Sequence, residues 1–332
     1  MMRDRLLELC KMNGVSGFED AVREKIRTWA APYADEIRED PAGNLMVYKK
    51  GTRGGRTVMV AAHMDEVGFL IKGINEDGTL RFVNVGRIIN QILPAMRVVV
   101  GERAIPGVIS MIPPHMGKRG QVYSPGELAI DIGAKDRAAA EKLTYPGDFA
   151  AFAGEPQWYG EDVLKAKALD DRLGCAVMLE LMQEELPCDT WFVFTVQEEI
   201  GSGAVTAARR IHPDIGLVLE CTSAGDLPYA EGALRTCAYG GGAVIPSADG
   251  GAVYDPALVR LARSAADAAG IPWQEKTSIA GITDAKPMAE AGGAAVLAIS
   301  APGRYIHSPI SSVKWTDAEA VLGAAKAFLM AL

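Results

Sequence analysis

Five separated stretches of this 332-residue chain carry side chains that could do chemistry. In LKAKALDDRLG, residues 164–174, Asp170 and Asp171 stand side by side at a strand-to-helix junction. A carboxylate held by backbone on both sides can bridge two cations at little cost in side-chain entropy. The same pair also reads as an N-cap before the apolar-periodic run Leu173, Ala176, Val177, Leu179, Leu181. The apolar run RTVMVAA ends in His63, Met64, Asp65 and Glu66. Strand periodicity puts His63 and Asp65 on one side, so the carboxylate can accept the second ring N–H of a metal-bound imidazole. A surface strand end would look the same. Farther on come QEEIGSG with Glu198 and Glu199, ECT with Glu220, and RYIHSP with His307. Alone, the double Glu also fits an acid-rich helix start, and HSP fits a turn.

Together these residues form an oxygen and nitrogen ligand set without thiolate, suited to Zn²⁺, Co²⁺ or Mn²⁺. Two ions can be served if Asp170 bridges, His63 and Glu220 complete one site, and Glu199 and His307 complete the other, with room for a shared water. Neighbours on a strand point to opposite faces, but the GSG that follows lets the chain turn, so Glu198 and Glu199 can reach one cavity. Glu199 is assigned to metal and Glu198 to the general base. Of the remaining histidines, His115 sits in a Pro-rich and Gly-rich loop and His212 precedes a proline; neither receives a chemical role.

The elements that must position these groups follow from periodicity. A first helix spans MMRDRLLELCKMNG, and Ser16-Gly-Phe-Glu19 has the form of a capping box opening a second helix to about Ala30. Short strands flank DPAGN at residues 36–49, and residues 56–62 form a continuous apolar strand of the kind buried on both faces. From 67 to 163 the texture becomes short strands between turns (FLIKGI, LRFVNV, MRVVVG, GVISMI, LAIDIGA, FAAFAG), the pattern of a small β-barrel or sandwich. Residues 164–332 alternate strands and helices. The expected fold is therefore α/β, with catalytic segments 1–66 and 164–332 interrupted by the insertion 67–163, and with strand-end polar groups along the carboxyl edge of the sheet.

A net charge of −8 argues against nucleic acid or an anionic membrane as partner. Five widely spaced cysteines with no CxxC indicate neither a disulfide framework nor a thiolate zinc site. With no apolar run of membrane-spanning length and no signal-like N-terminus, a cytoplasmic location is expected.

The set AAHMDEVGF, LDDRLG, QEEIGSGA, ECTSAGDLP and RYIHSP, in this order, resembles the M42 family of dinuclear metallo-aminopeptidases. DIGA, GDF and YGGGAV…DGGAVYDP extend the resemblance over nearly the whole chain. It implies a phosphorylase/hydrolase-like mixed-sheet catalytic domain, an inserted β-barrel used for dimerisation, and assembly often into dodecamers with sites facing an inner cavity. It also implies that Asp65 orients His63 and that Asp171 supports the bridge. The chain departs from the family in two places. Glu220 stands where Asp is common, and Ile282 in AGITDAKP stands where glycine is usual, so Asp284 is left out of the expected site.

The expected activity is removal of N-terminal residues from short peptides with a free N-terminus, by a homo-oligomer of at least two subunits holding two divalent ions, Zn or Co, per subunit. A deacylase of N-acyl amino acids or peptides on the same scaffold, and a non-catalytic peptide-binding assembly subunit, are the alternatives. A metal-free acid pair acting on glycans is disfavoured because the carboxylates serve as ligands. A preference for acidic first residues would need a cation near the site, for which Arg304 and Lys286 are the candidates.

Overall fold

The computed structural model describes all residues except 114, 118–119, 202, 228–231 and 233–234. Ser202 of the GSG turn, Pro114 and Lys118 around His115, and the final proline of ECTSAGDLP therefore lie outside the described residues.

Four parallel strands form the middle of an eleven-stranded mixed sheet, in the order Asp189–Thr195, Thr57–His63, Ile215–Ser223, Ala295–Arg304. Six of the seven residues of Thr57–His63 are buried, as expected for a continuous apolar run covered on both faces. Antiparallel strands Leu45–Lys49 and Glu36–Glu39 extend one edge, and Ser311–Lys314, Val163–Ala166 and Gln157–Tyr159 the other. Gln157–Tyr159, inside the expected insertion, thus belongs to this sheet. Helix Leu169–Leu181 packs on strands Thr57–His63 and Ile215–Ser223, beside the N-terminal helix Met2–Lys11 and the C-terminal helix Trp315–Met330.

The register decides the site. Thr195 pairs with His63, and Glu220 with Ser300. The polar strand ends consequently line up at one edge, where open α/β sheets place their ligands.

The six strand-like pieces of the insertion close into a barrel: Gly68–Ile74, Leu80–Val85, Ile130–Asp131, Ile105–Ile109, Arg97–Val100 and Phe149–Phe152. It has its own core, in which Phe69 meets Phe82 and Phe152 edge-on with ring centroids 5.2 Å apart in both pairs.

Local expectations fail in two places. The capping box does not form: the second helix begins at Asp20 with no side-chain hydrogen bond at its cap, because Ser16 and Glu19 are engaged elsewhere. An unforeseen helix, Ala285–Gly292, follows Asp284 and packs on Val205–Ile211; its Pro287 lies near the helix start, where a missing N–H costs little.

Candidate functional site

His63 ends its strand almost fully buried, with Nε2 3.4 Å from Asp170 Oδ1 and 3.5 Å from Glu220 Oε1. His307, on the loop after Ala295–Arg304, has Nε2 3.4 Å from Asp170 Oδ2 and 3.3 Å from Glu199 Oε2. The two oxygens of Asp170 are therefore divided between two imidazole and carboxylate pairs. Each imidazole also has a partner on its other nitrogen: His63 Nδ1 lies 3.2 Å from the Asp65 carbonyl and 3.4 Å from Asp65 Oδ1, and His307 Nδ1 lies 3.0 Å from the Arg87 carbonyl. Arg87 belongs to the inserted segment, which thus reaches into the site.

The adjacent aspartates split their work. Both depart from helical φ/ψ, and the peptide bond between them is cis. Asp171 Oδ1 accepts the Gly174 N–H at 2.9 Å, the local job expected of a cap. Asp170 Oδ1, like Asp171 Oδ2, is buried without a hydrogen-bond donor among the described residues. An orphaned buried carboxylate oxygen is costly unless a cation meets it.

The donors fit divalent ions. Two ligands about 2.0–2.2 Å from a tetrahedral Zn²⁺ lie about 3.3–3.5 Å from one another, the separations seen on both sides of Asp170. His63, Asp170 and Glu199 converge within 4.8 Å, as do Asp170, Asp171 and Cys221. The second grouping is the weaker one. Burial pushes the Cys221 thiol pKa well up, its Sγ donates to the Leu169 carbonyl at 3.2 Å, and one of the Asp171 oxygens is engaged by Gly174.

Electrostatics point the same way. Burial and the neighbouring carboxylates push Glu220 well above the usual range, and push Glu199 up to about 7. Burial, with Asp284, Asp65 and Glu199, does the same to Glu198, against the opposing pull of His63. Burial works against the charged form of His307, but Asp170 and Glu199 outweigh it and raise the imidazole to about 9. Acids that hold each other protonated are groups a divalent cation readily displaces protons from.

The cluster opens into a cavity of about 840 Å³, which Glu198 also borders. Asp284, left out on sequence grounds, does belong to its wall: it is buried, accepting Thr195 Oγ1 at 2.6 Å and the Ala204 N–H at 2.9 Å. Its resemblance to the family segment was the available signal, masked by Ile282. Lys276 and Lys286 border the cavity, whereas Arg304 is held by two 2.9 Å bonds to Asp226. His115 is exposed, and His212 caps helix Val205–Ile211 at φ 50°.

A two-part α/β fold with this cluster at the sheet edge describes a class of hydrolase, and comparison with known proteins specifies it. The family model described as M42 glutamyl aminopeptidase matches residues 43–323. The chain is 36% identical to an aminopeptidase of the archaeon Desulfurococcus kamchatkensis, with a TM-score of 0.94 over 98% of this chain and 93% of that one. It is 32% identical to the TET1 peptidase of Pyrococcus horikoshii, described as assembling into a tetrahedron or a large octahedral shell, with a TM-score of 0.89 over 100% of both chains. A lysyl aminopeptidase of Pyrococcus furiosus is 32% identical over 331 residues, 95% of this chain and 93% of its own. The chain belongs to the M42 family of aminopeptidases.

Proposed function

We propose that the protein is a dinuclear metallo-aminopeptidase releasing the first residue of short peptides with a free N-terminus. The observation that carries this reading is the division of the Asp170 oxygens between two imidazole and carboxylate pairs. Zn²⁺ or Co²⁺ would be held by His63, Asp170 and Glu220 on one side and by Asp170, Glu199 and His307 on the other, and when bound supplies Lewis-acid polarisation of the scissile carbonyl and acidification of water. Asp65 fixes the ring of His63. Glu198, free of such a pair and bordering the cavity, takes the proton of the attacking water and passes it to the leaving amine. The free α-amine of the substrate would be held by the acidic cluster and one of the ions.

Matched free and N-acetylated peptides test this reading, assayed by amino-acid release with protein reconstituted in Zn²⁺ or Co²⁺. Release from the free peptides only is expected; equal release from the acetylated set would sink the aminopeptidase and point to the deacylase. Lys276 and Lys286, on the cavity wall, are placed to meet a carboxylate on the first residue. Replacing both with Met is expected to lower kcat/KM for Glu-initiated peptides about tenfold or more relative to Leu-initiated ones, the scale of a charged hydrogen bond. An equal loss on both series would refute a charge-reading pocket.

Among the described residues no helix is long and apolar enough to cross a membrane. All five cysteines are buried and unbridged, in keeping with a cytoplasmic site of action. The barrel of the 67–163 insertion exposes Val108, Met111, Ile112, Met116 and Val122, apolar surface that suits a homodimer contact from which a larger shell, such as a dodecamer, is built.

A further inference from the structure

Three consecutive amides of the turn that carries the base, those of Gln197, Glu198 and Glu199, donate to two carboxylates from distant parts of the chain. Gln197 N–H donates to Glu19 Oε1 at 3.0 Å, Glu198 N–H to Asp65 Oδ1 at 3.1 Å and Glu199 N–H to Asp65 Oδ2 at 3.2 Å. Gln197 sits at φ 57°, in the left-handed region that a non-glycine residue keeps only when its surroundings hold it there. The second carboxylate is itself gripped, since Ser16 Oγ donates to Asp65 Oδ2 at 2.6 Å.

We propose that Ser16 and Glu19 are positioning residues, which clamp the 197–199 backbone so that the Glu198 carboxyl is aimed at the reacting water. The inference rests on the reading of Glu198 as base. Their residue types suggest a helix cap, yet they give the helix Asp20–Ala30 no side-chain hydrogen bond. Both are buried, and Glu19 turns inward to accept Gly17 N–H at 2.8 Å together with Gln197 N–H. Burial beside Asp65 pushes the Glu19 carboxyl up to about 7, an unfavourable place for an acid that served only a surface turn. The segment is fixed on its other side too. Gly14 and Ser16 exchange backbone hydrogen bonds with Glu66, and the Phe18 ring packs 4.9 Å from that of Phe149 in the barrel. A clamp anchored to both parts of the fold has little freedom to follow the turn if the turn moves.

Four proteins separate positioning from plain stabilisation: the full-length wild type, Glu19→Ala, Glu19→Gln and Glu198→Gln. Each is reconstituted with metal and assayed for kcat and KM on the free peptide the wild type cleaves fastest, with metal content and Tm measured alongside. Glu19→Ala is expected to lower kcat by about 100-fold, the scale of an ångström-sized misplacement, with KM and metal content unchanged. Glu19→Gln keeps an acceptor oxygen for the Gln197 amide and should restore kcat to within a few-fold. The proposal is overturned if Glu19→Ala lowers Tm while kcat per folded protein stays at the wild-type value, or if Gln rescues nothing. Should Glu19→Ala not fold, Ser16→Ala with Ser16→Thr as its rescue makes the same comparison. Activity of Glu198→Gln equal to wild type would instead sink the base assignment, whereas an inactive Glu198→Gln beside a fully active Glu19→Ala would sink the clamp alone.

Discussion

Glu198→Gln is expected to lower kcat about 100- to 10,000-fold, the range for loss of a positioned general base, while KM, fold and bound metal stay as they were. The substitution keeps size and shape and removes only the capacity to take a proton. Glu198 borders the cavity, and its backbone N–H is held by Asp65 whatever the side chain, so the glutamine should occupy the same place. Nearby carboxylates are poor substitutes. Asp65 is saturated by Ser16 and two amides, and Asp284 by Thr195 and Ala204. Steady-state kinetics with metal analysis on the same sample decides the matter: a kcat within threefold of wild type would transfer the base role elsewhere, and loss of metal together with activity would make Glu198 a ligand.

The second large effect is expected at Asp170. Asp170→Ala removes the group that faces both imidazole and carboxylate pairs, so both ions should lose affinity together. Several kcal/mol of carbonyl polarisation then disappear, or about 1,000-fold or more in kcat/KM. Chelation of the wild type should produce the same loss, reversed by Zn²⁺ or Co²⁺. The metal should also raise Tm, because a ligand that binds only the folded state stabilises it by mass action. Atomic emission on wild type and variant provides the check. Two ions per subunit in the wild type and none or one in Asp170→Ala is the expected result; two ions in both would show that Asp170 does not bridge. A neighbouring substitution gives the contrast. Asp171 Oδ1 accepts the Gly174 N–H, so Asp171→Ala should lower Tm through the helix start, whereas Asp171→Asn, which keeps an acceptor oxygen there, should restore it.

Much of this site was legible in the linear chain. His63, Glu220 and the QEE turn each terminate or follow a strand whose apolar run is recognisable by itself, and parallel strands that share a register deliver their ends to one edge. The barrel pieces were visible for the same local reason, as short strands between turn residues. Patterns of this kind reflect spacing within one element, and the chain states that spacing directly.

What the tertiary structure alone decided are the pairings between elements far apart in sequence. Ser16 and Glu19 have the local form of a capping box, but they reach hydrogen-bond partners 49 and 178 residues away. Arg304 looked available to the site until Asp226, 78 residues distant, proved to hold it. The Arg87 carbonyl that orients His307 comes from the insertion, 220 residues earlier, and a backbone carbonyl has no residue type by which to be recognised. Asp170 and Asp171 are one motif in the chain and two different groups in the fold, one tied by its Oδ1 to its own helix and the other facing both histidines. The residue types and their order were thus a property of the sequence. Which oxygen faces which nitrogen was set by packing, because a side chain's partner depends on where the rest of the chain lies when the core closes.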